Sequence, residues 1–152
     1  MNSIFWGAKS FNVDIWEWDV SSVTDMDSMF HSADSFNDNI AEWDVSSVTN
    51  MESMFRDAVS FNADIAEWDV SSVADMYDMF LDDRSFDTDI SKWDVLGVTD
   101  VYSMFLDGRE FDSSSDGEFE EVITNCRVEI SDHQFLLFNS YHFLTRHTSD
   151  II

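Results

Sequence analysis

The chain has 152 residues and a formal net charge of −25, since 32 Asp and Glu oppose only 7 Lys and Arg. This charge argues against nucleic acid as a partner, because affinity for nucleic acid comes from neutralising phosphates with basic side chains. Anionic lipid is disfavoured for the same reason, whereas basic proteins and divalent cations remain as ligand classes. No apolar run reaches the roughly 18 residues of a membrane span, and the single cysteine excludes an internal disulfide.

The first complete repeat begins at Phe11 and contains two hydrophobic periodicities. Residues 18–20 alternate between apolar and polar, which predicts a short strand, and the Ser-Ser pair at 21–22 indicates a turn. Apolar residues within 26–33 lie at the i, i+3, i+4 and i+7 positions of one helix face, and Asp25 precedes them as a candidate N-cap. Each repeat is therefore predicted to form a strand, a turn, a short helix and a return loop.

The same pattern recurs every 25 residues. Four tryptophans head the copies, each followed by Asp and Val, and they are Trp18, Trp43, Trp68 and Trp93. A fixed period in this range predicts a stack in which consecutive copies share one core and their strands pair in parallel. Residues 1–8 are in register with residues 26–33, so the sequence begins in the middle of a repeat. This start indicates a fragment of a longer protein, with a partner that caps the open end as the alternative.

Stacking places the repeated acids in rows, with neighbouring side chains roughly 5 Å apart. The rows are Asp14, Asn39, Asp64 and Asp89; Asp19, Asp44, Asp69 and Asp94; and Asp25, Asn50, Asp75 and Asp100. Like charges at this spacing repel, so solvent, backbone N–H groups or bound cations must relieve them. We expect the carboxylates to cap helices and to bond the Ser-Ser turns, with calcium between the repeats as the alternative. A further column is expected to hydrogen-bond from copy to copy; it comprises Asn12, Asn37, Asn62 and Asp87.

Beyond Phe111 the register of the repeat is lost. Residues 112–152 are predicted to be either a divergent C-terminal cap over the stack or an unstructured tail. The spacing of their cysteine and histidines matches no zinc site, and nothing orients a nucleophile; these residues are Cys126, His133, His142 and His147. No catalytic residue, metal site or cofactor is predicted, so the function is sought in residues 1–111.

The repeated sequence Phe-Asn-x-Asp-Ile-x-x-Trp-Asp-Val-Ser-x-Val-Thr-x-Met-x-x-Met-Phe-x-x-Ala resembles the repeat of BspA-like leucine-rich-repeat surface proteins. The same repeat is grouped with mycoplasma-type surface lipoproteins of unknown function. The resemblance covers residues 1–111, in three full and two partial copies, and fades in the fourth copy, where Leu96 and Gly97 replace the Ser-Ser pair. It implies an α/β fold, a leucine-rich-repeat-like solenoid of strand-turn-short-helix repeats with a parallel sheet. It also implies a location on or outside a cell, a role in adhesion or protein binding, and no catalytic residues.

These observations favour a non-enzymatic repeat protein that binds other proteins or mediates adhesion at a cell surface. The alternative is an acidic calcium-binding extracellular scaffold, which would fold in a calcium-dependent way. We expect the contact surface to lie on the strand side, where the column of Trp16 varies between copies and therefore faces solvent. Its candidate residues are Trp16, Glu17, Asp19, Glu42, Asp44, Glu67, Asp69 and Asp94.

Overall fold

A computed structural model of the chain describes residues 1–99 and Met104. Within residues 1–99 the backbone forms no helix and no extended strand, including at 18–20; it is a succession of turns joined by irregular segments. Two isolated parallel β-bridges join Asp25 to Asn50 and Asn50 to Asp75. These bridges connect the same position of three successive repeats, so the repeats run in one direction and in register.

Residues 26–33, whose spacing predicted a short helix, instead form a series of turns. The N–H groups of Met26, Ser28 and Phe30 donate to carbonyls of the next repeat, at N···O distances of 2.8 to 2.9 Å. Between them, the N–H of Asp27 donates to Oδ1 of Asp25 and the N–H of Met29 donates to the carbonyl of Met26, both within their own repeat. Positive φ angles of 52° at Ser28 and 56° at Ser32 break the right-handed helical path. Alternate hydrogen bonds of this segment therefore join neighbouring repeats, where a helix would keep them internal.

Equivalent aromatic side chains of successive repeats lie one above another. The rings of Phe30 and Phe55 are 5.7 Å apart and 1° from parallel, and those of Phe55 and Phe80 are 5.8 Å apart and 9° from parallel. Trp68 and Trp93 repeat this arrangement at 6.5 Å and 4°. The prediction that the copies share one axis is therefore confirmed for the described residues, and we refer to residues 1–99 as the stack. Its classification as an α/β, leucine-rich-repeat-like solenoid with a parallel sheet stays a prediction.

The core of the stack is built from apolar columns that run through the repeats. The buried members between residues 40 and 61 are Ile40, Trp43, Val45, Val48, Met51, Met54, Phe55, Ala58 and Phe61. In the tryptophan column, Trp43, Trp68 and Trp93 are 3%, 4% and 5% exposed, whereas Trp18 is 41% exposed. No described repeat lies on the outer side of Trp18, so the burial of a column depends on the repeat that precedes it.

A hydrogen bond from each buried indole ties its repeat to the one before. Nε1 of Trp43 donates to the carbonyl of Ile15 at 3.2 Å, and the same bond recurs from Trp68 to Ile40 at 3.1 Å and from Trp93 to Ile65 at 3.0 Å. Each of these carbonyls also accepts the backbone N–H of the tryptophan in its own repeat. Both lone pairs of the oxygen are therefore used, one within the repeat and one between repeats.

The predicted cap or tail at residues 112–152, with Cys126, His133, His142 and His147, lies outside the described residues, as does Asp100. In the part of the chain that the structure describes, no helix has the length and apolarity to cross a membrane.

Candidate interaction surface

All eight candidate residues of the contact surface are exposed. Four of them occupy one column, and each closes a turn with the residue two positions later. Oδ1 of Asp19, Asp44 and Asp69 accepts the N–H of the serine at that position at 3.1 Å and its hydroxyl at 2.6 Å. The predicted bond between this row and the Ser-Ser turns is therefore confirmed.

These turn bonds favour the charged form of the carboxylates. The hydroxyl and the N–H of Ser21 lower the pKa of Asp19, and those of Ser71 lower the pKa of Asp69 in the same way. In the fourth copy Leu96 donates only its N–H to Oδ1 of Asp94, at 3.2 Å, because leucine has no hydroxyl. Asp19 and Asp69 therefore keep their negative charge further into acidic solution than a free aspartate would.

The other two rows close turns of the same kind, and they do so with either an acid or an amide. Oδ1 of Asp64 accepts the N–H two residues later at 3.1 Å, and Oδ1 of Asn39 makes the same bond at 3.1 Å. Asp25 and Asn50 correspond in the third row, at 3.0 and 2.9 Å. The predicted capping role of that row takes this form, at the start of turns instead of helices. An amide oxygen thus replaces a carboxylate oxygen here with the geometry unchanged.

The remaining candidates flank the row of Asp19. Trp16 is exposed, and its column continues with Ala and Ser, so this column presents an aromatic side chain in its first copy alone. Glu17 and Glu42 are exposed at the next position, and Glu67 follows them in the third repeat. Lys92 ends that column and forms an ion pair with Glu67, and its hydrogen bond to that carboxylate raises the pKa of the lysine. The surface is therefore acidic over three repeats and partly compensated at the fourth.

The column that begins with Asn12 carries hydrogen bonds from repeat to repeat, as the sequence predicted. Oδ1 of Asn12 accepts the N–H of Asn37 at 2.9 Å, and Oδ1 of Asn37 accepts the N–H of Asn62 at 2.7 Å. The last bond runs from the N–H of Asp87 to Oδ1 of Asn62 at 2.8 Å. Each side chain thus bonds the backbone of the next repeat, which gives the column a structural role in fixing the register.

Two carboxylates, the buried Asp78 and the half-buried Asp83, were missed by the sequence analysis. Asp78 is 1% exposed and forms an ion pair with Arg56 of the preceding repeat. Asp83 stands where Ala33 and Ala58 are fully buried. Burial raises the pKa of Asp83 to about 7, and its Oδ2 has no hydrogen-bond partner among the described residues. The sequence did contain a signal for both residues. Asp78 follows serines, and Asp83 follows alanines, at the equivalent positions of the earlier repeats.

The described residues contain no evident metal-binding site. Among residues 1–99 and Met104, no group of three or more His, Cys, Asp or Glu side chains is arranged to hold a metal ion. The calcium-binding alternative stays a prediction.

Comparison with known proteins identifies the family of the repeat. The family model described as "Mycoplasma protein of unknown function, DUF285" matches residues 1–73 and 38–132. No curated protein and no solved structure matches the chain. Because the two matched spans together cover most of its length, the chain belongs to the DUF285 family of Mycoplasma proteins of unknown function.

Proposed function

We propose that the chain is a non-enzymatic module that binds other proteins through a row of exposed aspartates, as part of an adhesive protein at a cell surface. We name Asp19, Asp44, Asp69 and Asp94 the acidic row. One observation carries the proposal. Of the three rows of turn-closing side chains, the acidic row alone holds an aspartate in all four repeats, since Asn39 and Asn50 interrupt the others.

The turns of the stack do not require this charge. Asn39 and Asp64 close equivalent turns at the same distance, so an amide is sufficient for the structural role. Neighbouring like charges about 5 Å apart repel by roughly 1 kcal/mol in water and by more near a protein surface. A row with aspartate in every repeat therefore makes the stack less stable than a row of asparagines would. Binding of a positively charged partner accounts for the presence of the aspartates.

The acidic row also has the geometry of a prepared binding surface. Its turns hold each carboxylate through Oδ1, and among the described residues Oδ2 accepts no hydrogen bond. Lys or Arg side chains of a partner would therefore meet acceptors that are already ordered, which lowers the entropic cost of binding. Exposed Glu17 and Glu42 extend the same charge beside the row.

Adhesion at a cell surface is the setting that suits such a repeated surface. A stack presents the same group many times along one axis, so that weak contacts act together. The likeness of the repeated sequence to BspA-like leucine-rich-repeat surface proteins supports this setting.

Substitution of the acidic row tests the proposal without disturbing its turns. In the variant Asp44→Asn, Asp69→Asn and Asp94→Asn, each amide oxygen keeps the turn bond while three charges disappear. A matched control removes three charges from another row by Asp14→Asn, Asp64→Asn and Asp89→Asn. We expect the affinity for an oligolysine peptide, measured by calorimetry at low salt, to fall about tenfold in the first variant and about twofold in the control. The larger value follows from three exposed ion pairs that contribute roughly 0.5 kcal/mol each.

Equal weakening in the two variants would mean that only net charge matters, and this would refute the role of the acidic row. Thermal unfolding of both variants verifies that the turns are intact. The same unfolding measurement with and without calcium addresses the acidic calcium-binding scaffold, because a rise of many degrees in Tm would favour that alternative.

A further inference from the structure

A polar groove lies where the second and third repeats meet, with further described repeats on both sides of it. Its volume is about 360 Å³, in the lower part of the range of small-molecule sites. Four exposed polar side chains and two alanines line it, and none of them belongs to the acidic row. We name it the amide groove; its residues are Asn37, Asn39, Ala41, Asn62, Ala63 and Asp64.

The groove forms where the sequence places alanine at two positions that carry larger side chains in other repeats. Trp16 stands at the position of Ala41 in the first repeat. Asp38 and Thr88 stand at the position of Ala63 in the second and fourth repeats. The hydroxyl of Thr88 donates to the carbonyl of Ala63 at 3.1 Å, so this side chain packs against the preceding repeat. The space at this place therefore follows from two local substitutions and not from the repeated pattern.

The amides of the groove are held in place while their Nδ2 groups stay available. Oδ1 of Asn37 accepts the N–H of Asn62 at 2.7 Å, and Oδ1 of Asn39 accepts the N–H of Ala41 at 3.1 Å. Oδ1 of Asn62 accepts the N–H of Asp87 at 2.8 Å. Within residues 1–99, Nδ2 of these three asparagines donates no hydrogen bond. The groove therefore presents three oriented amide donors.

A buried backbone donor beside the groove lacks the acceptor that its counterpart in the first repeat has. The N–H of Ile15 donates to Oδ2 of Asp38 at 2.8 Å. Ala63 takes the position of Asp38 relative to Ile40 and has no side-chain oxygen. Ile40 is fully buried, and its N–H donates to no described residue. Because a buried N–H without an acceptor is rare and costly, this donor favours a ligand oxygen in the place of the missing carboxylate.

Asp64 supplies the acceptor of the groove. Its Oδ1 accepts the N–H of Ala66 at 3.1 Å, and its Oδ2 accepts no hydrogen bond from the described residues. A matching ligand must therefore offer several acceptor oxygens and at least one donor. An anionic ligand is disfavoured by this carboxylate and by the net charge of −25. A peptide is disfavoured because the only apolar walls are two alanines, which leaves no pocket for its side chains.

From these observations we infer that the amide groove binds a neutral saccharide, whose hydroxyl groups both donate and accept hydrogen bonds. One hydroxyl oxygen accepts the N–H of Ile40, and other oxygens accept the Nδ2 groups of the three asparagines. A hydroxyl proton is donated to Oδ2 of Asp64. Since the amide oxygens are already bonded, the donors are ordered before the ligand arrives, which lowers the entropic cost of binding. The groove is separate from the acidic row and adds a second class of ligand to the protein binding proposed above.

An NMR titration of the full ¹⁵N-labelled chain tests the inference. The probes are glucose, galactose, mannose and N-acetylglucosamine. We expect at least one of them to shift the backbone resonance of Ile40 saturably, together with the side-chain amide resonances of Asn37, Asn39 and Asn62. The N–H of Ile65 also lacks an acceptor among the described residues, but Thr88 stands in place of the alanine there, so its resonance should stay unchanged. No saturable shift with any of the four sugars overturns the inference.

The same resonances distinguish a saccharide from a peptide. Triglycine with an acetylated amino end and an amidated carboxyl end is neutral and offers backbone donors and acceptors. We expect it to leave the resonances of the groove unchanged. If triglycine shifts the resonance of Ile40 and the sugars do not, the groove is a peptide site and the assignment to a saccharide is wrong.

Two pairs of variants locate the bound sugar. Ala63→Asp installs the carboxylate of the second repeat, which would bond the N–H of Ile40 and fill the groove. We expect the affinity for the sugar to fall at least about tenfold. The matched control is Val13→Asp, which adds the same charge in the same column at a side chain that is 58% exposed and outside the groove, and it should bind like the parent. Equal binding by Ala63→Asp and the parent would refute the assignment to the groove.

The second pair removes one amide donor without altering the backbone bond. Asn37→Asp keeps the acceptor for the N–H of Asn62 and loses Nδ2, so the affinity should fall about fivefold. Asn12→Asp makes the same change in the first repeat, where Oδ1 bonds Asn37, and it should leave the affinity unchanged. Thermal unfolding verifies that all four variants are folded. If Ala63→Asp does not fold, the second pair decides, and equal affinities of Asn37→Asp and Asn12→Asp contradict the inference.

Discussion

The indole hydrogen bonds between repeats can be tested by the substitution Trp68→Phe. Nε1 of Trp68 donates to the carbonyl of Ile40 at 3.1 Å, from a side chain that is 4% exposed. Phenylalanine removes this donor and leaves a space beside the stacked ring of Trp93. The oxygen of Ile40 keeps its second donor, the backbone N–H of Trp43. The substitution therefore removes one bond without leaving the carbonyl unpaired.

The expected loss of stability is small because the carbonyl of Ile40 keeps one donor. Loss of one satisfied hydrogen bond costs about 1 kcal/mol, whereas an orphaned buried carbonyl would cost up to about 3 kcal/mol. The smaller ring adds about 1 kcal/mol in lost packing, at the lower end for large-to-small core changes. We therefore expect Trp68→Phe to lower the free energy of unfolding by about 2 kcal/mol. The same change at Trp18, which is 41% exposed and has no acceptor for Nε1 among the described residues, should cost less than about 1 kcal/mol.

Urea unfolding followed by circular dichroism measures both variants against the parent chain. The comparison is valid if the slope of the free energy against urea is unchanged, because a changed slope reports a change in the surface exposed on unfolding. A difference of less than about 0.5 kcal/mol between the Trp68 and Trp18 variants would refute the reasoning. It would mean that the indole bond and the preceding repeat contribute nothing to the stability of the column.

Two further predictions concern the half-buried Asp83 and the buried Asp78. Burial raises the pKa of Asp83 in the folded state to about 7 from its ordinary value of 3.8, so its charge destabilises the fold progressively between these pH values and fully above pH 7. We expect Asp83→Ala, which restores the alanine of the earlier repeats, to gain about 2 kcal/mol at pH 8 after allowance for solvent screening and almost nothing at pH 4. Urea unfolding at both pH values measures this, and equal gains would contradict it. Arg56→Leu should cost about 3–5 kcal/mol because it removes the cation beside Asp78. Addition of Asp78→Ser, the residue of the two preceding repeats, should recover most of that loss in urea unfolding, and an unrecovered loss would contradict the role of the pair.

The stacking of the repeats was predictable, whereas their local conformation was not. Met26, Met29, Phe30 and Ala33 are all buried, as the helical spacing required. Successive turns satisfy the same spacing. In each turn an N–H donates to the carbonyl three residues earlier, and a residue with positive φ then redirects the chain, so that about every fourth side chain points to the interior. The discriminating signal was the column of Ser32, which contains Gly7, Asp57 and Asp82 in the other repeats. These residue types favour turns and tolerate positive φ, and they disfavour a helix interior.

The candidate surface was predictable for a different reason. Asp19 and Ser21 are two residues apart, so their bond is local and can be inferred from the sequence. The bond between Trp68 and Ile40 spans 28 residues and depends on the offset between neighbouring repeats, which the period alone does not give. Interactions within a repeat were therefore accessible from the sequence, and most of those between repeats required the structure.

The difference between interactions within a repeat and interactions between repeats has a consequence for the stability of the stack. Trp18 and Trp68 occupy the same position of the repeated pattern, yet only Trp68 is buried, because burial is supplied by the preceding repeat. Indole bonds therefore belong to interfaces between repeats, and the four tryptophans of the Trp18 column form three such bonds among the described residues. In a stack stabilised by nearest neighbours, each added repeat contributes its own folding free energy and one more interface. Stability should then rise faster than in proportion to the number of repeats, because the first repeat brings the entropic cost of ordering without an interface of its own.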